Sequence, residues 1–177
     1  MSTYHHGNLP AALLRAAGQT LEKRGIAALS LRETARRAGV SHNAPYRHFP
    51  DREALFAALA AEGFAMLGER LRGKPGREMG AAYVRFSLEQ PQRFRLMFGG
   101  VLPAGKYPEL REAAQSARSA LVRAFKDLPR PDLAAAAAWS LVHGLSHLLL
   151  EGHFATQDPE AFVREVLAAV RFAAAQR

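Results

Sequence analysis

His42, Asn43 and Ala44 follow Ser41 directly, and Tyr46, Arg47 and His48 come next after one proline. An imidazole and an amide beside a small residue can reach base edges, and an asparagine can bridge the hydrogen-bonding edge of adenine. The hydroxyl and basic groups of Tyr46, Arg47 and His48 suit phosphate oxygens. Much later, His143, His147 and Glu151 recur every fourth residue and share one helical stripe. Two histidines a turn apart can grip a metal, with a carboxylate as a further ligand. Such pairs also arise by chance and are satisfied inside cores or interfaces, so no metal and no cofactor is expected. A third set is mostly aromatic: Phe64, Phe86, Phe94, Met97, Phe98, Phe125 and Trp139, with Tyr83, His143 and His147 as polar companions. It has the make-up of a pocket for an apolar or aromatic molecule, and equally that of ordinary core.

Several chemistries are absent. The chain has 177 residues and no cysteine, so disulfides and thiolate chemistry are excluded. It contains no phosphate-binding glycine loop, no nucleophile elbow and no His-Glu metalloprotease motif, and an enzyme is not expected. Lysine and arginine exceed the acids by enough for a net charge of +8, with a pI near 10.6. That balance favours a polyanionic partner. No basic start followed by an apolar run marks a signal peptide, and a cytoplasmic protein is expected.

The elements that must position the first set are short. Ser30 is a good N-cap, and Leu31, Ala35 and Ala38 lie at helical spacing. Arg32, Glu33, Arg36 and Arg37 fall off that apolar face. Gly39 suits the left-handed residue that ends a helix, Val40 is an apolar plug, and Ser41 is placed to cap a second helix. Helix, glycine turn and helix spell a helix-turn-helix, whose second helix offers its first residues to the major groove. Pro45 cannot donate the first bond back to the Ser41 carbonyl, so the first turn of that helix should be loosened and later bonds kept. A preceding helix over Leu9–Arg24, with Pro10 in its first turn and Gly25 behind it, completes a three-helix core plugged by Phe49.

This stretch resembles the DNA-binding domain of the TetR family of bacterial transcriptional regulators. The matching residues are Leu31-Arg32-Glu33-Thr34-Ala35, Ala38-Gly39-Val40-Ser41, Tyr46-Arg47-His48-Phe49-Pro50-Asp51-Arg52 and Glu53-Ala54-Leu55-Phe56, with Tyr4-His5-His6-Gly7-Asn8-Leu9 similar to the N-terminal arm of one branch. Pro45 departs from a commoner aliphatic residue, and Arg52 from a lysine. The resemblance implies an operator-binding set of Arg32, Ser41, His42, Asn43, Tyr46, Arg47, His48 and Arg52. It also implies an all-α fold, with residues 1–50 as helix-turn-helix domain and 51–177 as helical effector-binding and dimerisation domain.

Beyond the motif, Asp51 should cap a long helix over Arg52–Leu71 that is apolar over more than half its circumference. A helix shared by two cores is a natural lever, and in the TetR-like architecture it links the two domains. A basic loop over 72–77 breaks the chain. Helices follow over Arg77–Gln90, from Pro91 to Gly99-Gly100, and over Pro108–Leu128. Asp132 should cap the helix Leu133–Leu150, which holds no Lys, Arg, Asp or Glu over 18 residues. That length meets a membrane span, but five consecutive alanines, two serines and two histidines argue against lipid. Burial between its own subunit and a second copy is the alternative, with Asp158 capping the last helix of a four-helix, two-fold bundle. Trp139, His143 and Gly144 resemble the signature of the WHG-type C-terminal domain of the same family. The expected protein is a homodimeric repressor of a double-stranded operator, released by a small apolar or aromatic effector and not bound to a membrane. The competing reading is a helical dimeric binding module for a metal or a lipid, whose basic hairpin does not read DNA; the salt dependence of duplex binding separates the two.

Overall fold

In the computed structural model, residues 8–103 and 105–170 are described, and among them all regular structure is helical. Eight α-helices follow one another: α1 (Leu9–Arg24), α2 (Leu31–Ala38), α3 (Arg52–Leu71), α4 (Gly76–Glu89), α5 (Pro91–Phe98), α6 (Pro108–Ala124), α7 (Pro131–Leu150) and α8 (Pro159–Ala169). Short 3₁₀ turns occupy Ile26–Ala28 and Pro45–Arg47. Tyr4, His5, His6 and Gly7, expected to form an N-terminal arm, lie outside the described residues.

The helices gather into two compact units. The first takes the described residues up to Gly63 together with Gln92–Arg111; the second takes Phe64–Pro91 and the described residues from Glu112 onward. Packing thus groups residues across the chain order, and α3 contributes its first part to one unit and its last part to the other.

The first unit closes on Leu13, Leu21, Leu55 and Leu59, all without solvent exposure, with Phe49 and Leu96 beside them. Each such leucine contributes about 1.5–3 kcal/mol by leaving water. α5 is held to α1 by Glu22, whose carboxylate accepts the backbone N–H of Gln92 at 3.1 Å and of Arg93 at 2.7 Å. A negative group there meets the positive end of the helix dipole. Arg93 itself is buried, and its Nη1 donates to the Leu59 carbonyl at 3.0 Å and to Glu62 at 2.8 Å. Two helical glycines make room for it. A Cβ at Gly18 would lie 2.6 Å from Arg93 Nη2, and one at Gly63 would lie 3.1 Å from Arg93 Cγ and Cδ. The segment before α6 is tied back to the first turn of α3, where Glu53 accepts from Lys106 and from the Tyr107 hydroxyl. These bonds hold the Glu53 carboxyl below its usual range.

In the second unit α7 and α8 pack on α4. Gly80 permits the close approach, since a Cβ there would meet Leu167 at 3.1 Å and Val142 at 3.3 Å. Arg85 closes the contact with a two-pronged pair to Glu160. Asp158 caps α8 as expected, accepting from Ala161 N at 2.9 Å. Asp132 does not cap α7. The helix begins at Pro131 with Arg130 as its N-cap residue, and Asp132, already inside the first turn, faces Arg130 at 3.6 Å. Proline at the first helical position moves the start upstream, because its fixed φ is already helical. Nor is α7 buried all round within this chain: only Ala135, Val142, Leu145 and Ser146 are covered. By length and mean hydropathy alone it could cross a bilayer, as could many core helices.

Candidate nucleic-acid interface

The scaffold of the motif forms for the reasons its sequence provides. Ser30 Oγ accepts the Glu33 N–H at 3.1 Å, and Thr34 Oγ1 donates back to the Ser30 carbonyl at 2.8 Å. Gly39 ends α2 at φ +68°, and the N–H groups of Gly39 and Val40 return to Arg36 and Ala35. That pair of bonds is the glycine-ended helix terminus in which the last carbonyls are satisfied.

The second half of the motif departs from expectation. It is a turn over residues 42–44 followed by the 3₁₀ stretch Pro45–Arg47, with no full α-helical turn. Ser41 offers its backbone carbonyl, not its hydroxyl, to the Ala44 N–H at 3.0 Å. Arg47 then bonds Ala44, and both His48 and Phe49 bond the Pro45 carbonyl. The cause is Pro45. Without an N–H it cannot close the four-residue bond to Ser41, so the tighter three-residue bond from Ala44 wins and the stretch propagates in that form. The loosening therefore reaches beyond the first turn.

Anchorage compensates. Pro45 is fully buried and Phe49 joins the first unit's core, so the segment is pinned at both ends. Between and before these pins Ser41, His42, Asn43, Tyr46, Arg47 and His48 are all exposed, as is Arg32 on α2. Asp51 caps α3 by accepting from Ala54 N at 2.7 Å.

Four arginines have partners that sequence reading missed. Arg36 and Arg37 both donate to Glu33, each at 2.8 Å, and Arg24 reaches it at 3.3 Å. The hydrogen bonds from Arg36 and then Arg37 hold the Glu33 carboxyl at about 2. Their charge is thus partly spent inside the motif. Arg52, expected on a phosphate, bonds the carbonyls of Leu29 and Ile26 at 2.8 Å each and lies over the Phe56 ring. It holds the link between α1 and α2. The reach follows from the guanidinium fork, which can serve several acceptors at once.

The expected effector residues belong to both units. Phe94 and Phe98 pack on each other in the first unit, with ring centres 5.0 Å apart. Tyr83, Phe86, Phe125, Trp139 and His143 belong to the second. Three of them connect: the Trp139 indole donates to the Tyr83 hydroxyl at 3.1 Å, and Tyr83 meets His143 Nδ1 at 2.9 Å. The Tyr83 hydroxyl thus accepts from Trp139, and the direction of its bond with His143 Nδ1 follows the imidazole tautomer. Burial drives the Tyr83 phenol well above its usual range. Burial and then the neighbouring His147 lower His143. His147 in turn faces Glu151 at 3.9 Å. Among the described residues no three His, Cys, Asp or Glu side chains come together to hold a metal. A cavity of about 580 Å³ in the second unit is lined by Phe64 of the expected set, with Leu71, Met79, Ala117 and Ala120 among its other residues.

Comparison with known proteins places this architecture. Residues 13–59 match the family described as bacterial regulatory proteins, tetR family, and residues 77–170 match the tetracyclin repressor-like C-terminal domain. A protein of unknown function from Rhodococcus sp. RHA1 is 34% identical, over 96% of this chain and 94% of that one, with a TM-score of 0.79. A candidate regulatory protein, SCO4313, is 27% identical over 89% of this chain and 92% of its own, at 0.72. NalD of Pseudomonas aeruginosa, the secondary repressor of the MexAB-OprM multidrug efflux pump, shares the fold at 24% identity and 0.56, covering 89% of this chain and 91% of its own. No curated protein sequence matches the chain. The exposed polar row on a turn pinned by Pro45 and Phe49, and two family matches that together cover most of the sequence, make this chain a member of the TetR family of DNA-binding transcriptional regulators.

Proposed function

We propose that the protein is a repressor, cytoplasmic and homodimeric, that occupies a two-fold operator and leaves it when a small apolar or aromatic molecule binds the second unit. The observation that carries the operator reading is the row Ser41, His42, Asn43, Tyr46, Arg47 and His48, exposed on a segment whose flanking Pro45 and Phe49 are buried. Rigid anchors under polar side chains are what base reading needs. His42 and Asn43 take base edges; Tyr46, Arg47, His48 and Arg32 take phosphates. The two-fold reading draws support from α7, which leaves Leu133 and Leu148 at 53% and 40% exposure on an otherwise apolar helix. A second copy laid on that face would cover them. In the second unit, the Tyr83–His143–Trp139 cluster would anchor an effector's polar group, with Phe86 and Phe125 of the same unit as candidate apolar contacts.

The test is selection on random duplexes followed by titration at several salt concentrations. A single palindromic site should emerge, with affinity falling linearly in log salt. Asn43→Ala should cost about 1–3 kcal/mol and relax one base position in each half-site. Recovery of no site, or of the same site at unchanged information content in Asn43→Ala, would refute the assignment.

A further inference from the structure

The cavity in the second unit is bounded by the last turns of α3, the first turn of α4 and the middle of α6. It exists because its walls are small. α6 turns Ala113, Ala117 and Ala120 toward it, and α3 offers Ala65 and Gly68. None of the residues of α6 is buried, and none of the described residues fills the space. Phe64, Leu71 and Met79 are buried and give it an apolar floor. Its volume of about 580 Å³ falls within the roughly 300–1,000 Å³ of small-molecule sites.

The rim has a different character. Lys74, Arg123 and Arg72 border the cavity, against one carboxylate, Glu69, which Arg72 already engages at 2.6 Å. α4 also begins here. Its N-cap residue is Pro75, which lines the cavity and supplies no side-chain acceptor for the first N–H groups of the helix. The helix start carries partial positive charge, but Glu78 stands in its first turn and its open N–H groups lie on residues outside the lining. Apolar floor and cationic rim are what converge on one ligand chemistry.

We propose that this cavity is a binding site for a small apolar molecule carrying one carboxylate, its hydrocarbon or aromatic body over Phe64, Leu71 and Met79 and its carboxylate at Lys74 and Arg123. The site is separate in its residues from the Tyr83–His143–Trp139 cluster. It deepens the reading that the second unit receives an effector, and it depends on no DNA contact, so its failure leaves the operator assignment standing.

Calorimetric titration of the full-length protein with 4-phenylbutyrate, and in parallel with its uncharged counterpart 4-phenylbutan-1-ol, tests it. One saturable site per chain is expected, with the acid bound about ten-fold or more tightly than the alcohol. Lys74→Gln combined with Arg123→Gln, both exposed positions, should bring the acid down to the affinity of the alcohol. Ala120→Leu should abolish both while leaving Tm equal or higher, because the new side chain fills the gap. Equal affinity for acid and alcohol, no saturable binding, or undiminished binding by Ala120→Leu would each overturn the proposal.

Discussion

Gly18 should be a glycine only because Arg93 is an arginine. In the interior of a helix an alanine is favoured over glycine by about 1 kcal/mol, so Gly18→Ala would ordinarily stabilise. Here the added methyl would sit 2.6 Å from Arg93 Nη2, and that guanidinium is fixed by Leu59 and Glu62 with its side chain only 7% exposed. Displacing it in a packed site costs about 1–3 kcal/mol. Net of the helix gain, Gly18→Ala should destabilise the first unit by up to about 2 kcal/mol, a Tm drop of up to roughly 8 °C at 2–4 °C per kcal/mol for a chain of this size. Arg93→Met ends its side chain short of the guanidinium position. It loses both hydrogen bonds and also removes Nε, which is buried without a partner; the cost should be about 1–3 kcal/mol, moderated because Glu62 can regain water at 37% exposure. In the Arg93→Met background Gly18→Ala should then stabilise by about 1 kcal/mol, a reversal of sign and a coupling of about 1–3 kcal/mol. Far-UV circular dichroism in urea, with hydrogen exchange at α1 and α5 amides, is the assay, since Trp139 lies in the second unit. If Gly18→Ala stabilised the unmodified protein, or shifted both backgrounds equally, the slot would not be what holds α5.

Arg52→Ala should lower stability by about 1–2 kcal/mol through loss of its bonds to Leu29 and Ile26, while the slope of log affinity against log salt stays as it was; a slope smaller by about one unit with unchanged Tm would return Arg52 to the phosphates. Leu148→Glu should convert the proposed dimer to a monomer in sedimentation at micromolar concentration, with α-helix content retained; a dimer that persists would move the interface elsewhere. His143 is lowered in the folded state by burial and by His147. The unfolded chain therefore binds the extra proton first, and stability of the second unit, followed by Trp139 emission in denaturant, should fall as pH drops below about 6.5 and level off once the folded imidazole also protonates. His143→Gln should flatten that stretch of the curve; an unchanged pH profile would exclude the assignment.

Much of the local structure could be read before any coordinates. Ser30, Gly39, Gly25 and Asp158 perform the end-of-helix roles their types announce, because capping is decided within four residues. The sequence reading faltered where a local rule competes with another. Pro45 removes one donor, but the outcome depends on whether Ala44 takes the vacated acceptor, and that rests on the burial of Pro45 and Phe49. Proline at 131 overrode an aspartate that looks like a cap. Arg93 was invisible for a different reason. An arginine beside a glutamine and a phenylalanine reads as surface, and only the mid-helix glycines at 18 and 63, which otherwise weaken helices, hinted that something large passes there. The cavity was illegible too, since alanines on α6 read as helix formers and reveal nothing of what faces them. The aromatic set was drawn from residue types alone, and it takes in members of both units.

The grouping of Gln92–Arg111 with the N-terminal helices bears on how such a regulator can be taken apart. A gene fragment ending at residue 63 would encode every exposed side chain of the reading row. It would omit Leu96, which belongs to the core, and Met97, Leu102 and Leu110, which pack against it. It would also strip Glu22 and Glu62 of the partners they hold on α5. The product would be an open core with stranded acids. A chimera that transplants this DNA specificity onto another sensor must carry residues 92–111 along, as a second, non-contiguous exon of the same graft.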